Sequence, residues 1–173
     1  PEIFHDQTRW IAEHIDEENI RFVTHVGDVV QNYDQVEAEW VAADAAMDRL
    51  NGLVPVGVAI GNHDYDLGSD GKPFRQAKSF VKWFGPERFE GEPWFGGAHP
   101  NGLNSYQIFE MQGRRFLFLH LESDVPDEII SWAEGVIAQY PGVPTIVTTH
   151  IYISDRTRAR TTEPYLVKTG NSG

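Results

Sequence analysis

Residues 54–66 read "VPVGVAIGNHDYD", an apolar run of small and β-branched residues that stops at Gly61-Asn62-His63-Asp64. An amide, an imidazole and a carboxylate at the end of a buried strand carry a desolvation cost. A hydrogen-bond network or a metal ion must offset it. Two further apolar runs end in the same manner: "IRFVTHV" is followed by Gly27-Asp28, and "VPTIVTTH" terminates at His150. Together the three termini offer carboxylate and amide oxygens and two imidazoles. The chain has no Cys, so any metal would be held by oxygen and imidazole donors, a set that suits manganese, iron and zinc alike. Taken singly, Gly-Asp is ordinary turn chemistry and a strand-end His is an ordinary polar residue. Gly-Asn-His-Asp is the specific signal, and the other two gain weight from it.

The elements that must position these residues follow from periodicity. In residues 6–19, Trp10, Ile11, His14 and Ile15 share a helical face. A short strand over 20–26 leads to Asp28. Val36, Trp40, Ala43, Met47 and Leu50 then step by helical intervals, with Asp34 and Glu37 as a capping-box-like start and Asn51-Gly52 as a stop. The next strand leads to Asn62. Helix, strand, helix, strand predicts a parallel α/β unit. Further on, the pattern predicts a loop over 64–73, a short helix over 74–85 and an irregular stretch over 85–103. Two strands joined at Gln112-Gly113 follow, then a helix over 126–142 and the strand ending at His150. In open α/β sheets the ligand crevice lies beyond the carboxyl ends of the strands. That is where Asp28, Asn62, His63, Asp64 and His150 fall.

Other polar and aromatic residues have plainer readings. Trp10, Trp40, Trp83 and Trp132 sit at helical positions and read as core. His120 alternates with Phe116 and Phe118 and reads as core, and His25 as core or support. Asp64, Asp66 and Asp70 alternate as calcium ligands do, but Arg75 stands where the closing carboxylate belongs, so the segment reads as a surface loop. "RTRAR", residues 156–160, is the one basic run, a solvated loop or a phosphate-steering one.

At 173 residues, with 40% apolar and 23% charged residues, the chain reads as one domain, 1–173. The formal charge of −12 disfavours a nucleic-acid partner. No apolar run reaches the roughly 18 residues that a membrane span requires. No motif speaks to oligomeric state.

"VGDVVQ", "GNHD" and "TTH", in this order, resemble the calcineurin-like metallophosphoesterases, and the likeness extends over "QTRWIAEHI", "NSYQIFEMQGRRFLFLHLE" and "PDEIISWAEGVI", as in a bacterial branch of that superfamily. The resemblance implies an α/β fold of two sheets flanked by helices. It also implies hydrolysis of a small phosphoester, monoester or diester, at two divalent metal ions. By position, Asp28 matches the bridging carboxylate. Asn62 and His150 match ligands of the second ion. His63 matches the imidazole that protonates the leaving oxygen or stabilises its charge, and Asp64 the group that orients that imidazole. The family's opening Asp motif and its closing Gly-His-x-His motif have no counterpart here. The expectation is therefore a fragment of a longer protein with an incomplete metal site. The alternative is a non-catalytic binding or structural domain that retains the fold.

Overall fold

The structure, a computed structural model, describes residues 2–151. Helix α1 (Glu2–His14) precedes strand β1 (Val23–His25), and helix α2 (Glu37–Met47) leads to strand β2 (Val56–Val58). β1 and β2 pair in parallel, with Thr24 opposite Gly57. The stripe expected on the second helix is realised in part: Trp40, Ala43 and Met47 are buried, as is Leu50 just beyond the helix, whereas Val36 stands at the N-cap and is 37% exposed. After helix α3 (Lys78–Phe84), strands β3 (Phe95–Ala98), β4 (Ser105–Met111) and β5 (Arg114–Leu121) form an antiparallel run. Helix α4 (Asp127–Ala138) then carries the chain to β6 (Thr145–Thr149), which pairs parallel to β5. The four strands lie in the order β3-β4-β5-β6. The fold is thus α/β, with two sheets and flanking helices.

The alternation of β5 shows how the layers pack. Leu117, Leu119 and Leu121 turn toward Ile129, Ala133 and Val136 of α4. On the other face, Phe118 stacks on Phe22, which precedes β1, at 3.8 Å between ring centroids. His120 on that face is fully buried, lies 3.3 Å from Thr24 Oγ1, and meets Gln107 Oε1 at 2.7 Å. Its ring also sits over Gly57, where an added Cβ would come within 2.0 Å of Cε1. Gly57 is glycine because the sheets approach closely at that point. A second apolar cluster joins Trp40, Ile60, Tyr65, Phe80 and Phe84 beneath the first sheet.

Several expectations are corrected. The first helix runs from Glu2 to His14, not over 6–19; beyond His14 the chain turns, and Asn19 adopts a left-handed φ of 54°. Trp10 is 48% exposed and stacks on His14 instead of entering the core. Asp34 caps nothing at α2, whose N-cap is Val36; its carboxylate accepts from the Leu67 amide at 3.1 Å. The Gly-rich stretch expected to be irregular contains β3. There the ring of Tyr106 on β4 covers Gly96 and supplies the packing that glycine lacks. The carboxylates of 64–70 diverge: Asp66 accepts from the Lys78 amide and Asp70 from the Lys72 amide. The Gln112-Gly113 turn is as expected, with both residues at positive φ, which suits the twist of the flanking strands. The run 156–160 lies outside the described residues.

Candidate metal and phosphoester site

The segments that leave the parallel strands β1 and β2 meet at two glycines. A Cβ on Gly27, whose φ is 99°, would come within 2.6 Å of the Gly61 nitrogen, and one on Gly61 within 2.1 Å of Asp28 Oδ1. Only hydrogen fits between these backbones, so the two strand ends deliver their polar residues to one place. Asp28 itself has φ 55°, a left-handed conformation that Asp tolerates. Its Oδ1 accepts from the His63 amide at 2.9 Å.

His150 arrives from the other sheet, just past β6. Its Nδ1 lies 2.9 Å from the Val26 carbonyl oxygen. A carbonyl can only accept, so Nδ1 carries the proton. Nε2 then faces Asn62 Oδ1 at 3.1 Å and Asp28 Oδ2 at 3.2 Å. Two oxygen acceptors and an imidazole nitrogen that converge in this way require a positive charge. Either a proton on Nε2 or a metal ion supplies it, and a His whose other N–H is given to a backbone carbonyl is oriented as metal-binding His residues are. The charge balance agrees. The hydrogen bond with Asp28 raises the His150 pKa above its ordinary value, burial opposing. Burial works to raise the Asp28 carboxyl, but hydrogen bonds from His150 and the His63 amide outweigh it and hold it below the usual range.

Asn62, His63 and Asp64 form a single 3-10 turn, so their side chains diverge. The His63 ring turns toward the loop after β1: Nδ1 meets the Gln31 carbonyl at 2.7 Å, and Tyr33 stacks on it with centroids 4.9 Å apart. Asp64 does not reach the imidazole in the way the resemblance implies. It is fully buried, and accepts from the Gly61 amide at 2.8 Å and the Val30 amide at 3.2 Å. Its carboxylate thereby ties the loop after β1 to the loop after β2. Burial pushes its pKa up to about 7.

Asp28, Asn62 and His150 are therefore brought together, His63 stands beside them, and Asp64 lies beneath. Among the described residues, no group of three or more His, Asp, Glu or Cys side chains is placed to hold a metal ion. The convergence consists of two such side chains and an amide. Gln31 and Tyr33 were not legible as site residues: one acts through its carbonyl, the other through its ring, and neither has a motif.

A model of the calcineurin-like phosphoesterase family matches residues 1–170. The chain belongs to that family. It is also 32% identical over 154 residues to the uncharacterized protein YvnB of Bacillus subtilis (strain 168), in a match covering 88% of this chain and 12% of that protein. The chain thus spans a small part of this curated relative. No solved structure matches. Calcineurin-like phosphoesterases generally use divalent metals to hydrolyse phosphoesters. The resemblance carried by Gly-Asp, Gly-Asn-His-Asp and Thr-Thr-His thus agrees with the family match and with the two-sheet fold. No described helix of this calcineurin-like phosphoesterase is long and apolar enough to cross a membrane.

Proposed function

We propose that the strand ends of this chain serve metal-dependent hydrolysis of a small phosphoester. Asp28, Asn62 and His150 hold a divalent ion, and His63 acts on the leaving oxygen. The observation that supports this most is the meeting of His150 Nε2 with Asn62 Oδ1 and Asp28 Oδ2 while His150 Nδ1 is occupied by the Val26 carbonyl. An ion bound there would supply positive charge to polarise a phosphoryl oxygen and to lower the pKa of water.

The chain's own residues do the rest. Asn62 contributes a neutral oxygen and adds no charge to repel an anionic ester. Asp28 is the carboxylate that a second ion would share, in the two-ion arrangement the resemblance implies. His63 has its Nδ1 proton directed to Gln31, so Nε2 is the nitrogen left for the departing oxygen. His63 gives it a proton as the imidazolium, which carries a second proton on Nε2 and returns to the Nδ1–H tautomer once that proton has gone. Asp64 holds the backbone of the turn that presents both Asn62 and His63.

The test is metal loading. The chain is stripped with chelator, reloaded with manganese, and bound ions are counted by elemental mass spectrometry. Hydrolysis of 4-nitrophenyl phosphate and of bis(4-nitrophenyl) phosphate is followed in parallel. Manganese bound by the unmodified chain and lost in Asp28→Asn and His150→Ala supports the reading. A folded chain that binds no manganese overturns it and favours a non-catalytic domain that retains the fold.

A further inference from the structure

The loop that holds His63 is itself held from behind, by α2. Glu39, in the first turn of that helix, accepts from the Gln31 amide and the Asn32 amide through Oε2, each at 2.9 Å, and from Asn32 Nδ2 through Oε1 at 2.5 Å. One carboxylate thus satisfies two successive backbone amides and the side-chain amide of Asn32. The next residue, Trp40, is buried and donates its indole N–H to the Tyr33 carbonyl at 2.9 Å. Adjacent residues of one helix therefore grip residues 31, 32 and 33. Between these grips Tyr33 is kept at φ 56°, a strained conformation for a bulky side chain. Its ring lies against the His63 imidazole, 19° from parallel.

We infer that Glu39 is a positioning residue for His63: it fixes the Gln31 carbonyl that selects which imidazole nitrogen carries the proton. The geometry allows one assignment. Gln31 Nε2 also lies 3.3 Å from His63 Nδ1, and this amide nitrogen could only donate to it. The carbonyl is nearer, at 2.7 Å, and can only accept. Nδ1–H is therefore the held tautomer, and Nε2 is the free nitrogen. Glu39 touches neither the imidazole nor the convergence of Asp28, Asn62 and His150. It acts through the backbone of the loop.

This inference rests on the reading of His63 as the proton-giving group, but its test needs neither metal nor substrate. The full 173-residue chain is labelled with 15N, and long-range 1H–15N correlations of the histidine rings are recorded at a pH where His63 is neutral. His63→Gln identifies the His63 signals by their loss. The expected result is a dominant Nδ1–H pattern for His63. In Glu39→Ala it gives way to the Nε2–H form that free imidazole favours, and in Glu39→Gln, which keeps one acceptor oxygen, it is partly restored. Glu39 lies at the partly exposed start of the helix, so the near-isosteric Glu39→Gln gives a folded second variant if Glu39→Ala does not fold. An unchanged Nδ1–H pattern in both variants overturns the inference, and so does an Nε2–H pattern in the unmodified chain. A chain that fails to bind manganese yet shows the tautomer shift contradicts the functional reading alone.

Discussion

Two carboxylates stand at the carboxyl ends of strands, and they could hardly differ more. Glu122, directly after β5, is 2% exposed and saturated. Oε2 receives Arg75 at 2.7 Å and the Tyr65 hydroxyl at 3.3 Å, and Oε1 receives Asn104 at 2.9 Å and Asn101 at 3.2 Å. Asp28, after β1, keeps 32% of its side chain exposed and turns one oxygen toward an imidazole that also faces the Asn62 oxygen. The first carboxylate has its countercharge built in, through Arg75. The second faces a nitrogen and an oxygen with no fixed cation among them. Position at a strand end therefore does not make a site. What separates the two is whether the surrounding groups already close the charge.

That contrast can be broken by substitution. Glu122→Ala should cost the most, because it takes an acceptor from a partly buried guanidinium and from the buried Asn104 amide. Removing one partner of a buried ion pair costs up to about 3–5 kcal/mol, and the Asp124 carboxylate that stays on Arg75 keeps the loss below that ceiling. Urea unfolding would measure it. A loss near zero would show that the Glu122 network is as open as the Asp28 site.

The closed side can be sharpened by pH. Burial lowers the His120 pKa from 6.5 to about 3, and that of His25 to about 4. Both are depressed below the unfolded value, so the unfolded chain takes up protons first as pH falls below about 6.5. Their contribution is complete above that pH and is lost progressively toward 4. Asp64 runs the other way. Burial raises its pKa to about 7, so the folded state keeps a proton that the unfolded chain releases above 3.8. Two imidazoles against one carboxylate leave a net fall in stability of about 1.4 kcal/mol per pH unit between pH 6.5 and 4. Urea unfolding at pH 6.5 and pH 5 checks the slope. A rise in stability on acidification would contradict the burial of His120.

The smallest effect on folding is expected at Asp28. Asp28→Asn removes a partly exposed contact with His150, an ion pair only while that imidazole is protonated, and such pairs contribute about 1 kcal/mol or less. Thermal unfolding of metal-free protein should barely move, although the same substitution is expected to abolish manganese binding. A destabilisation as large as that of Glu122→Ala would erase the distinction between the two carboxylates.

How much of this was legible beforehand depends on the kind of interaction. Trp40, Ala43 and Met47 announced α2 because burial follows a period that can be read in one dimension. Asp28, Asn62 and His150 were legible because each ends an apolar run. Glu122 also ends one, in "FLFLHLE", but its saturation by Arg75, Asn101 and Asn104 depends on loops folding back, which no local pattern encodes. Asp34 looked like a helix cap and instead serves the Leu67 amide, because tertiary contact overrides local capping preference. Gln31 contributes its carbonyl, which every residue has, so only the folded chain assigns it. Trp10 shared a helical face with Ile11 and Ile15 and still points outward, since a hydrophobic period says which residues group together and not what covers them.

The residues proposed as donors come from different layers: Asp28 and Asn62 from the ends of the first sheet, His150 from the end of the second. Between the layers stands the His120 ring, seated where Gly57 has no side chain. A slide of one residue along a strand is about 3.3 Å, enough to part His150 from its partners. The alignment of the sandwich is thus written into the distance between His150 and Asn62. A cation held by these three residues, as proposed, would be gripped by both halves at once and would act as a clasp. Its occupancy and the closure of the fold would be a single equilibrium, each strengthening the other.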